Sequence, residues 1–504
     1  ADAAPRAPLP EAPVTAPGGL FDAARKRMAR RRRGFPAPQR CIDAVEAATR
    51  LPLAEGLEAE RQHFLALRDS PESAAQRHLF FAERKAARIA DLPRETPRRE
   101  IAATAVIGAG TMGAGIAIAL ADAGLPVTLV ETGAEALERG LSRIAGLYAR
   151  QVSRGRLPEA EAEARRARIV GATDLEAIAG ADLVIEAVFE DLDLKRDVFA
   201  RLDAVARPGA ILATNTSTLD VDRIAAATAR PADVLGLHFF SPANVMRLLE
   251  VVRGRQTAPD ALASAMAFAR RIGKVPVCVG VCDGFVGNRM FVLYNREAQA
   301  LVEEGATPEQ VDRVLTGWGM AMGPFAVMDL AGTDVGWRIR RAREPHRDKR
   351  RRYPFTVADR LAVSGRLGQK AGAGWYRYPE GGRTPEPDPE VLDMIAEVAA
   401  AKGIARREIS DEEVLHRCLW QLVNAGAQIL DEGIAQRASD IDVIFAHGYG
   451  FPGWRGGPMF HADRVGPDQV LADIRRFHAG NDDSWAPAPL LVRLAEAGQR
   501  FADL

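Results

Sequence analysis

Four residues in the middle of the chain have the types that acid–base chemistry on a hydroxyl group requires. His238 ends one apolar run, and Glu250 lies inside another, Leu-Leu-Glu-Val-Val at 248–252. A carboxylate among leucine and valine is costly unless it is paired, and a histidine partner would complete a general base. Ser217 and Asn288 could donate hydrogen bonds to an oxygen that gains negative charge. Together the four predict one catalytic site.

Each residue also has a purely structural interpretation. Ser217 and Asn288 could cap the N-termini of helices, and the histidine could be a core side chain with satisfied hydrogen bonds. The carboxylate could pair with Arg247 or Arg253, although neighbours on a strand point to the other face or lie further away. A single shared site explains all four residues better than four separate coincidences.

A glycine turn upstream predicts a dinucleotide site. Apolar residues lead into Gly108-x-Gly110-x-x-Gly113, a helix of small residues follows, and a second apolar run ends at Glu131. The glycines let the backbone approach a pyrophosphate at the helix N-terminus, and the acid can accept from a ribose hydroxyl. No arginine directly follows Glu131, which favours NAD over NADP. The cofactor contacts predicted here are Gly108, Gly110, Thr111, Met112, Gly113 and Glu131.

The elements that must position these residues alternate between strand and helix from residue 101 onward. Strands are predicted at 103–107, 126–130, 182–186, 210–213, 234–238 and 247–252, with a charged helical hairpin at about 135–168. The pattern is typical of an α/β protein with a Rossmann-type doubly wound parallel sheet. Ligands bind at the carboxyl ends of such strands, which is where the polar run 214–218 and His238 lie.

Long helices dominate after residue 284 and contain an internal repeat. Segment 288–305 matches 416–433, Val311-Asp312 matches Ser439-Asp440, and 317–320 and 322–325 match 448–451 and 456–459. Two homologous all-α domains are therefore predicted after the sheet. The predicted divisions are a flexible tail at 1–18, a helical segment and linker at 19–100, the nucleotide domain at 101–283, and helical domains at 284–380 and 381–504.

Composition limits the function classes. With 504 residues, several domains are expected, and 67 basic residues against 67 acidic ones give no general attraction to nucleic acid. The basic run 30–33 is interpreted as a solvated helix end. Four cysteines without a Cys-x-x-Cys pair, no membrane-length apolar run and no peroxisomal C-terminal tripeptide favour a cytoplasmic location. No metal site is predicted.

These motifs together resemble the L-3-hydroxyacyl-CoA dehydrogenases. The resemblance rests on the glycine turn, Asn215-Thr-Ser217, His238-Phe-Phe-Ser-Pro242, Glu250 and Gly284-Phe-Val-Gly-Asn288-Arg289. The tandem helical repeat is similar to the dehydrogenase half of multifunctional β-oxidation enzymes, which join this activity to an enoyl-CoA hydratase. The resemblance covers about residues 19–504.

The resemblance implies a role for each site residue. His238 would take the proton from the 3-hydroxyl, and Glu250 would orient the imidazole and stabilise its charged form. Ser217 and Asn288 would hydrogen-bond the substrate oxygen while the C3 hydride moves to NAD. The family's cofactor-contacting positions correspond here to Glu190, Lys195 and Asn215.

Three departures from the family pattern carry expectations. Ser241 stands where single-function members often have asparagine, which affects fine substrate contacts. His416 occupies the place of Asn288 in the second repeat, so we expect that repeat to be a structural partner.

Short members dimerise through the domain that is present twice here, and we therefore predict a monomer with an internal pseudo-dimer. Residues 19–92 resemble only the last helices of a hydratase, so we expect no hydration of enoyl-CoA.

Two other functions stay open at this point. A dehydrogenase of small β-hydroxyacids would need a catalytic lysine on the helix after the nucleotide domain, where this chain has Asn288 and Arg289. A silent scaffold that binds CoA or NAD within a β-oxidation complex would not need a base and a residue to orient it. The expected function is therefore NAD-dependent oxidation of L-3-hydroxyacyl-CoA to 3-ketoacyl-CoA, with acyl-CoA as the substrate.

Overall fold

A computed structural model describes residues 15–346, 352–379, 382–481 and 483–504. Most of the predicted tail, residues 1–14, lies outside the described residues, as does the predicted boundary at 380/381. The described chain comprises a helical N-terminal segment, one sheet with helices on both faces, and a helical C-terminal half. The predicted order of elements is thus confirmed.

Four helices precede the sheet. The first two are short, and the fourth begins with Ser70, whose hydroxyl accepts from the Ser73 N–H as an N-cap. The buried face of this fourth helix consists mainly of alanine, which lets it lie close to the C-terminal half. The four helices are α1 Leu20–Arg31, α2 Ala37–Ala47, α3 Leu53–Arg68 and α4 Pro71–Ala86.

The sheet has eight strands in the order β3-β2-β1-β4-β5-β6-β7-β8. All six predicted strands form, and two more appear at 169–172 and 275–280. The predicted doubly wound parallel sheet is confirmed, and one pair of strands, β6 and β7, runs antiparallel within it. The strands are β1 Thr104–Ile107, β2 Val127–Val130, β3 Ile169–Ala172, β4 Leu183–Glu186, β5 Ile211–Thr214, β6 Val234–Phe239, β7 Leu248–Arg253 and β8 Val275–Gly280.

Helices cover both faces of this sheet. Alternate residues of β1 point to opposite sides, so that Val106 joins one apolar core while Ala105 and Ile107 join the other. Near-continuous apolar strands are required because neither face meets water. The covering helices are α5 Thr111–Asp122, α6 Ala134–Ser153, α7 Glu159–Ala167, α8 Leu192–Val205, α9 Val221–Ala225 and α10 Pro259–Arg271.

The C-terminal half is helical and shares one apolar core. Its longest helices, α11 Gly287–Glu304 and α17 Asp411–Asp431, pack against each other and begin the two repeats. Helix α16 Pro389–Ala401 lies between the repeats in sequence and packs against α11. The others are α12 Pro308–Trp318, α13 Pro324–Ala331, α14 Thr333–Arg343, α15 Thr356–Val363, α18 Ala438–Gly448, α19 Pro458–Val465, α20 Pro467–His478 and α21 Pro489–Ala497.

One detail of the repeat differs from the sequence match. The match paired Asp312 with Asp440, but the structural counterpart of Asp312 is Asp442. Asp312 accepts from two backbone N–H groups at the start of α13, at 3.0 and 2.9 Å. Asp442 does the same at the start of α19, where the Met459 N–H lies 2.8 Å from its carboxylate. The gap in the alignment therefore lies before these aspartates, where the turns between helices differ in length.

Candidate active site

The antiparallel pairing of β6 and β7 forms the centre of the site. It places His238 directly opposite Glu250, on neighbouring strands. The imidazole Nδ1 lies 2.7 Å from the Glu250 carboxylate Oε2, and both side chains are buried. The carboxylate therefore fixes one ring nitrogen, which leaves Nε2 to exchange a proton with a substrate. The pairing predicted from the two residue types is present in the structure.

The second oxygen of Glu250 holds the start of the first helical repeat. Its Oε1 accepts from the Gly287 N–H at 3.0 Å, at the N-terminus of α11. The turn before this helix is strained, because Phe285 has a φ of 49° and lies fully buried against the His238 ring. One carboxylate therefore links His238 to the helix that carries Asn288.

The polar loop after β5 is gathered around Glu190. One oxygen of this carboxylate accepts from the Thr216 hydroxyl, from the backbone N–H and hydroxyl of Ser217, and from Thr218. Burial acts to raise the Glu190 pKa, but the charge of Lys195 and these hydrogen bonds outweigh it, and the pKa lies below its usual value. A charged Glu190 thus sets the shape of the loop.

Asn288 reaches this loop from the first helical repeat. Its Nδ2 donates to the Ser217 carbonyl oxygen over a long 3.5 Å, and its Oδ1 accepts from the Tyr449 hydroxyl at 2.8 Å. The structure therefore brings Ser217 and Asn288 together, and Glu250 links the start of helix α11 to His238.

The glycine turn forms the wall of a separate cleft. Gly108 has a φ of 100°, and a Cβ on Gly113 would lie 1.8 Å from the Gly108 carbonyl oxygen, so neither position accepts a side chain. Gly110 is the N-cap of helix α5, and no side chain caps the first N–H groups of this helix, which leaves an anion site open. The cleft has a volume of about 510 Å³, and Gly108, Gly110, Thr111, Met112 and Glu131 line it. This wall fits the pyrophosphate and ribose of NAD.

Glu131 lies beside the glycines as a ribose-binding acid would. Its Oε2 accepts from the Ala109 N–H at 2.9 Å, and its Oε1 accepts from the Thr132 N–H at 2.9 Å. The carboxylate is thereby held at the mouth of the cleft, with its remaining lone pairs available to hydroxyl groups.

Four of the predicted cofactor residues are not among those that line the cleft: Gly113, Glu190, Lys195 and Asn215. Lys195 is buried, and its Nζ lies 2.5 Å from Glu186, a fully buried acid at the end of β4. Asn215 accepts from the Phe239 N–H at 2.9 Å and so joins the ends of β5 and β6. The cofactor contacts of these four residues stay predictions.

Three residues near the site were not predicted from the sequence. Glu186 accepts hydrogen bonds from Thr214 and from Lys195, and so holds the end of β5 from which the polar loop starts. Phe240 packs its ring 4.5 Å from the His238 ring, and Tyr449 packs 5.5 Å from Phe240. Glu186 had a signal in the sequence, because an acid at the end of an apolar run needs a partner. Nothing in the sequence connects Tyr449 with the site, because the contact spans the two repeats.

Among the described residues, no group of three or more His, Cys, Asp or Glu side chains is arranged to hold a metal ion. None of the helices in the described ranges is long and apolar enough to cross a membrane. The four cysteines are free thiols, and burial raises the pKa of Cys278 to about 12.

Matches to known protein families divide the chain into the same parts as the structure does. Residues 103–282 match the family model described as 3-hydroxyacyl-CoA dehydrogenase, NAD binding domain. Residues 284–378 and 414–501 match its C-terminal domain, so the repeat is recovered as two copies.

Individual relatives agree with the family matches. The peroxisomal bifunctional enzyme of Danio rerio is 42% identical over 498 residues, covering 95% of this chain and 68% of that protein. The crystal structure of 3-hydroxybutyryl-CoA dehydrogenase from Escherichia coli is 29% identical with a TM-score of 0.67, covering 79% of this chain and 99% of that one. The dehydrogenase part of multifunctional enzyme 1 from C. elegans is 29% identical with a TM-score of 0.61, covering 82% and 96%.

Proposed function

The chain belongs to the 3-hydroxyacyl-CoA dehydrogenase family, and we propose that its His238–Glu250 pair is the catalytic base. The reaction is the NAD-dependent oxidation of an L-3-hydroxyacyl-CoA to a 3-ketoacyl-CoA in fatty acid β-oxidation. The observation that carries the proposal is the 2.7 Å contact between His238 Nδ1 and a fully buried Glu250.

The chemistry follows from this contact. Glu250 accepts from Nδ1–H, which makes Nε2 the basic nitrogen that takes the proton of the 3-hydroxyl. As the oxygen loses its proton and C3 loses a hydride, the C–O bond becomes a carbonyl. The charge that forms on the imidazolium is stabilised by the Glu250 carboxylate at close range. Bound NAD supplies the hydride acceptor.

The neutral donors act on the substrate oxygen. Ser217 offers a hydroxyl and Asn288 an amide NH₂ group, and the two lie in contact beside the loop after β5. The Asn288 amide is already in place to stabilise the developing oxyanion, whereas the Ser217 hydroxyl, which donates to Glu190 in this structure, would turn to the substrate oxygen. Ser217 and Asn288 are therefore assigned to the substrate oxygen.

The cofactor is assigned to the cleft beside the glycine turn. The α5 N-terminus at Gly110–Thr111 would take the pyrophosphate, and Glu131 the adenine ribose. Glu190, Lys195 and Asn215 are assigned to the nicotinamide end. Lys195 would act there through the charge it places beside Glu190, at 3.6 Å.

The proposed assembly is a monomer with an internal pseudo-dimer of helical repeats. Reciprocal ion pairs between the repeats support it: Arg289 pairs with Glu432 and Arg417 pairs with Glu304. Light scattering should give the mass of one chain, 54.4 kDa, and a mass twice as large would contradict the proposal.

The proposed location is the cytoplasm. Free cysteines suit a reducing compartment, and the predicted cytoplasm is one. The name of the Danio rerio relative places that protein in the peroxisome. Imaging of a fluorescently tagged chain separates the two locations.

The test of the catalytic pair is the variant His238→Gln, with acetoacetyl-CoA and NADH as substrates. Its turnover should fall by at least about 10³-fold, because glutamine cannot exchange the proton. Its dissociation constant for NADH, measured by fluorescence titration, should stay within about twofold of the wild type because His238 is not among the residues that line the cofactor cleft. The matched control is His416→Gln, the same exchange at the counterpart of Asn288 in the second repeat.

The control variant and the NADH titration together distinguish a loss of catalysis from a loss of folding. His416→Gln should retain wild-type turnover, since His416 lies against Asp473 in the second repeat. Wild-type turnover in His238→Gln would show that His238 is not the catalytic base. Loss of NADH binding in the same variant would show that the substitution damages the fold instead.

A further inference from the structure

The second helical repeat contributes a residue to the site of the first. Tyr449 directly follows α18, and its hydroxyl donates to Asn288 Oδ1 at 2.8 Å. The two residues are far apart in sequence and belong to different repeats. The catalytic amide therefore has a partner that a single repeat would lack.

This hydrogen bond determines which way the Asn288 amide faces. An asparagine side chain has a donor end and an acceptor end, and exchanging them reverses its chemistry. The Ser217 carbonyl oxygen on one side can only accept, so Nδ2 must face Ser217. Oδ1 then faces the Tyr449 hydroxyl, which can donate. Without that donor, the orientation would depend on the single long contact of 3.5 Å with Ser217.

The Tyr449 ring is held firmly. It packs between Phe240, Phe291 and Phe445, with ring centroids 5.0 to 5.5 Å apart. A Cβ on Gly287 would lie 2.5 Å from the Tyr449 hydroxyl oxygen, so the glycine before Asn288 is needed for the ring to reach the amide. Burial, and then the charge of Glu250, raises the Tyr449 pKa well above its usual value. The phenol thus stays protonated as a donor.

We propose that Tyr449 is a positioning residue of the dehydrogenase site. Its hydroxyl holds the Asn288 amide with the NH₂ group directed to the substrate oxygen, and its ring supports Phe240 against His238. This inference rests on the proposed role of Asn288. It also gives the second repeat a part in catalysis beyond that of a structural partner.

The test is Tyr449→Phe, which keeps the ring and removes the hydroxyl. We expect kcat to fall about tenfold, the equivalent of one ordinary hydrogen bond, while KM for acetoacetyl-CoA and NADH binding change less than about twofold. The matched control is Tyr294→Phe on the same aromatic cluster. Tyr294 is buried with its ring 5.7 Å from Phe291, and its hydroxyl has no hydrogen-bond partner among the described residues. This control should retain wild-type kcat.

A double-mutant cycle shows whether Tyr449 acts through Asn288. In an Asn288→Ala background, Tyr449→Phe should cause no further loss of kcat. An independent tenfold loss in that background, or equal kcat for Tyr449→Phe and Tyr294→Phe, would overturn the inference and leave the roles of His238 and Glu250 intact. Wild-type kcat in Asn288→Ala alone would overturn both the proposed role of Asn288 and this inference. Melting temperatures of all variants show whether a loss comes from unfolding.

Discussion

The two helical repeats contact each other in the same way on both sides, yet they differ at the positions that matter for chemistry. Arg289 of the first repeat pairs with Glu432 of the second, and Arg417 of the second pairs with Glu304 of the first. Such reciprocal contacts are the mark of a two-fold interface, here formed within one chain. The scaffold is therefore nearly symmetric.

The residues at the proposed catalytic positions are not symmetric between the repeats. Asn288 begins the first repeat beside the sheet and touches Ser217, whereas its counterpart His416 contacts Asp473 and packs near Trp420. Tyr449 reaches across to Asn288, while its counterpart Trp318 packs on Phe451 and His461. The first repeat carries the proposed site residue Asn288, and the second repeat supplies the tyrosine that contacts it.

The largest expected effect on stability is at Arg417, which lies between the two repeats. Arg417 is buried with contacts to Glu297, Glu304 and Glu413. Arg417→Met would leave the buried Glu297 without a cation, while Glu304 and Glu413 keep Arg352 and Arg407, and we expect a loss of about 3–5 kcal/mol in the free energy of unfolding. Urea denaturation measures it.

The smaller effect is expected at the symmetric position. Arg289 is partly exposed, and its partner Glu432 is 49% exposed, so water screens this pair. Arg289→Met should cost less than about 1 kcal/mol in the same urea experiment. Equal losses for the two variants would contradict the expectation that the buried ion pairs of Arg417 stabilise the fold more than the exposed pair of Arg289.

Much of the fold could be predicted from the sequence, and the exceptions have physical causes. The six predicted strands are apolar runs in a sheet covered on both faces. Strand β3 was missed because it is a short edge strand with an exposed Val170 and a glycine, and β8 because Pro276 interrupts its pattern. Periodicity also cannot show strand direction, so the antiparallel β6–β7 pair was not foreseen.

The site was predictable where a residue type was out of place in its surroundings. Glu250 among apolar residues required a partner, and His238 was available. Tyr449 gave no such signal, because a tyrosine between two glycines is ordinary in a turn. Its role depends on how two repeats pack, which no local pattern reports.

The central claim is that the β6–β7 register places a buried carboxylate on the catalytic imidazole. The single-turnover rate of NADH oxidation by acetoacetyl-CoA in a Glu250→Gln variant tests it most directly. Glutamine retains an oxygen for the Gly287 N–H, but its amide cannot stabilise a charged imidazole and favours the other ring tautomer. We predict a rate at least about 10²-fold slower with unchanged NADH binding. A wild-type rate in this variant would contradict the claim.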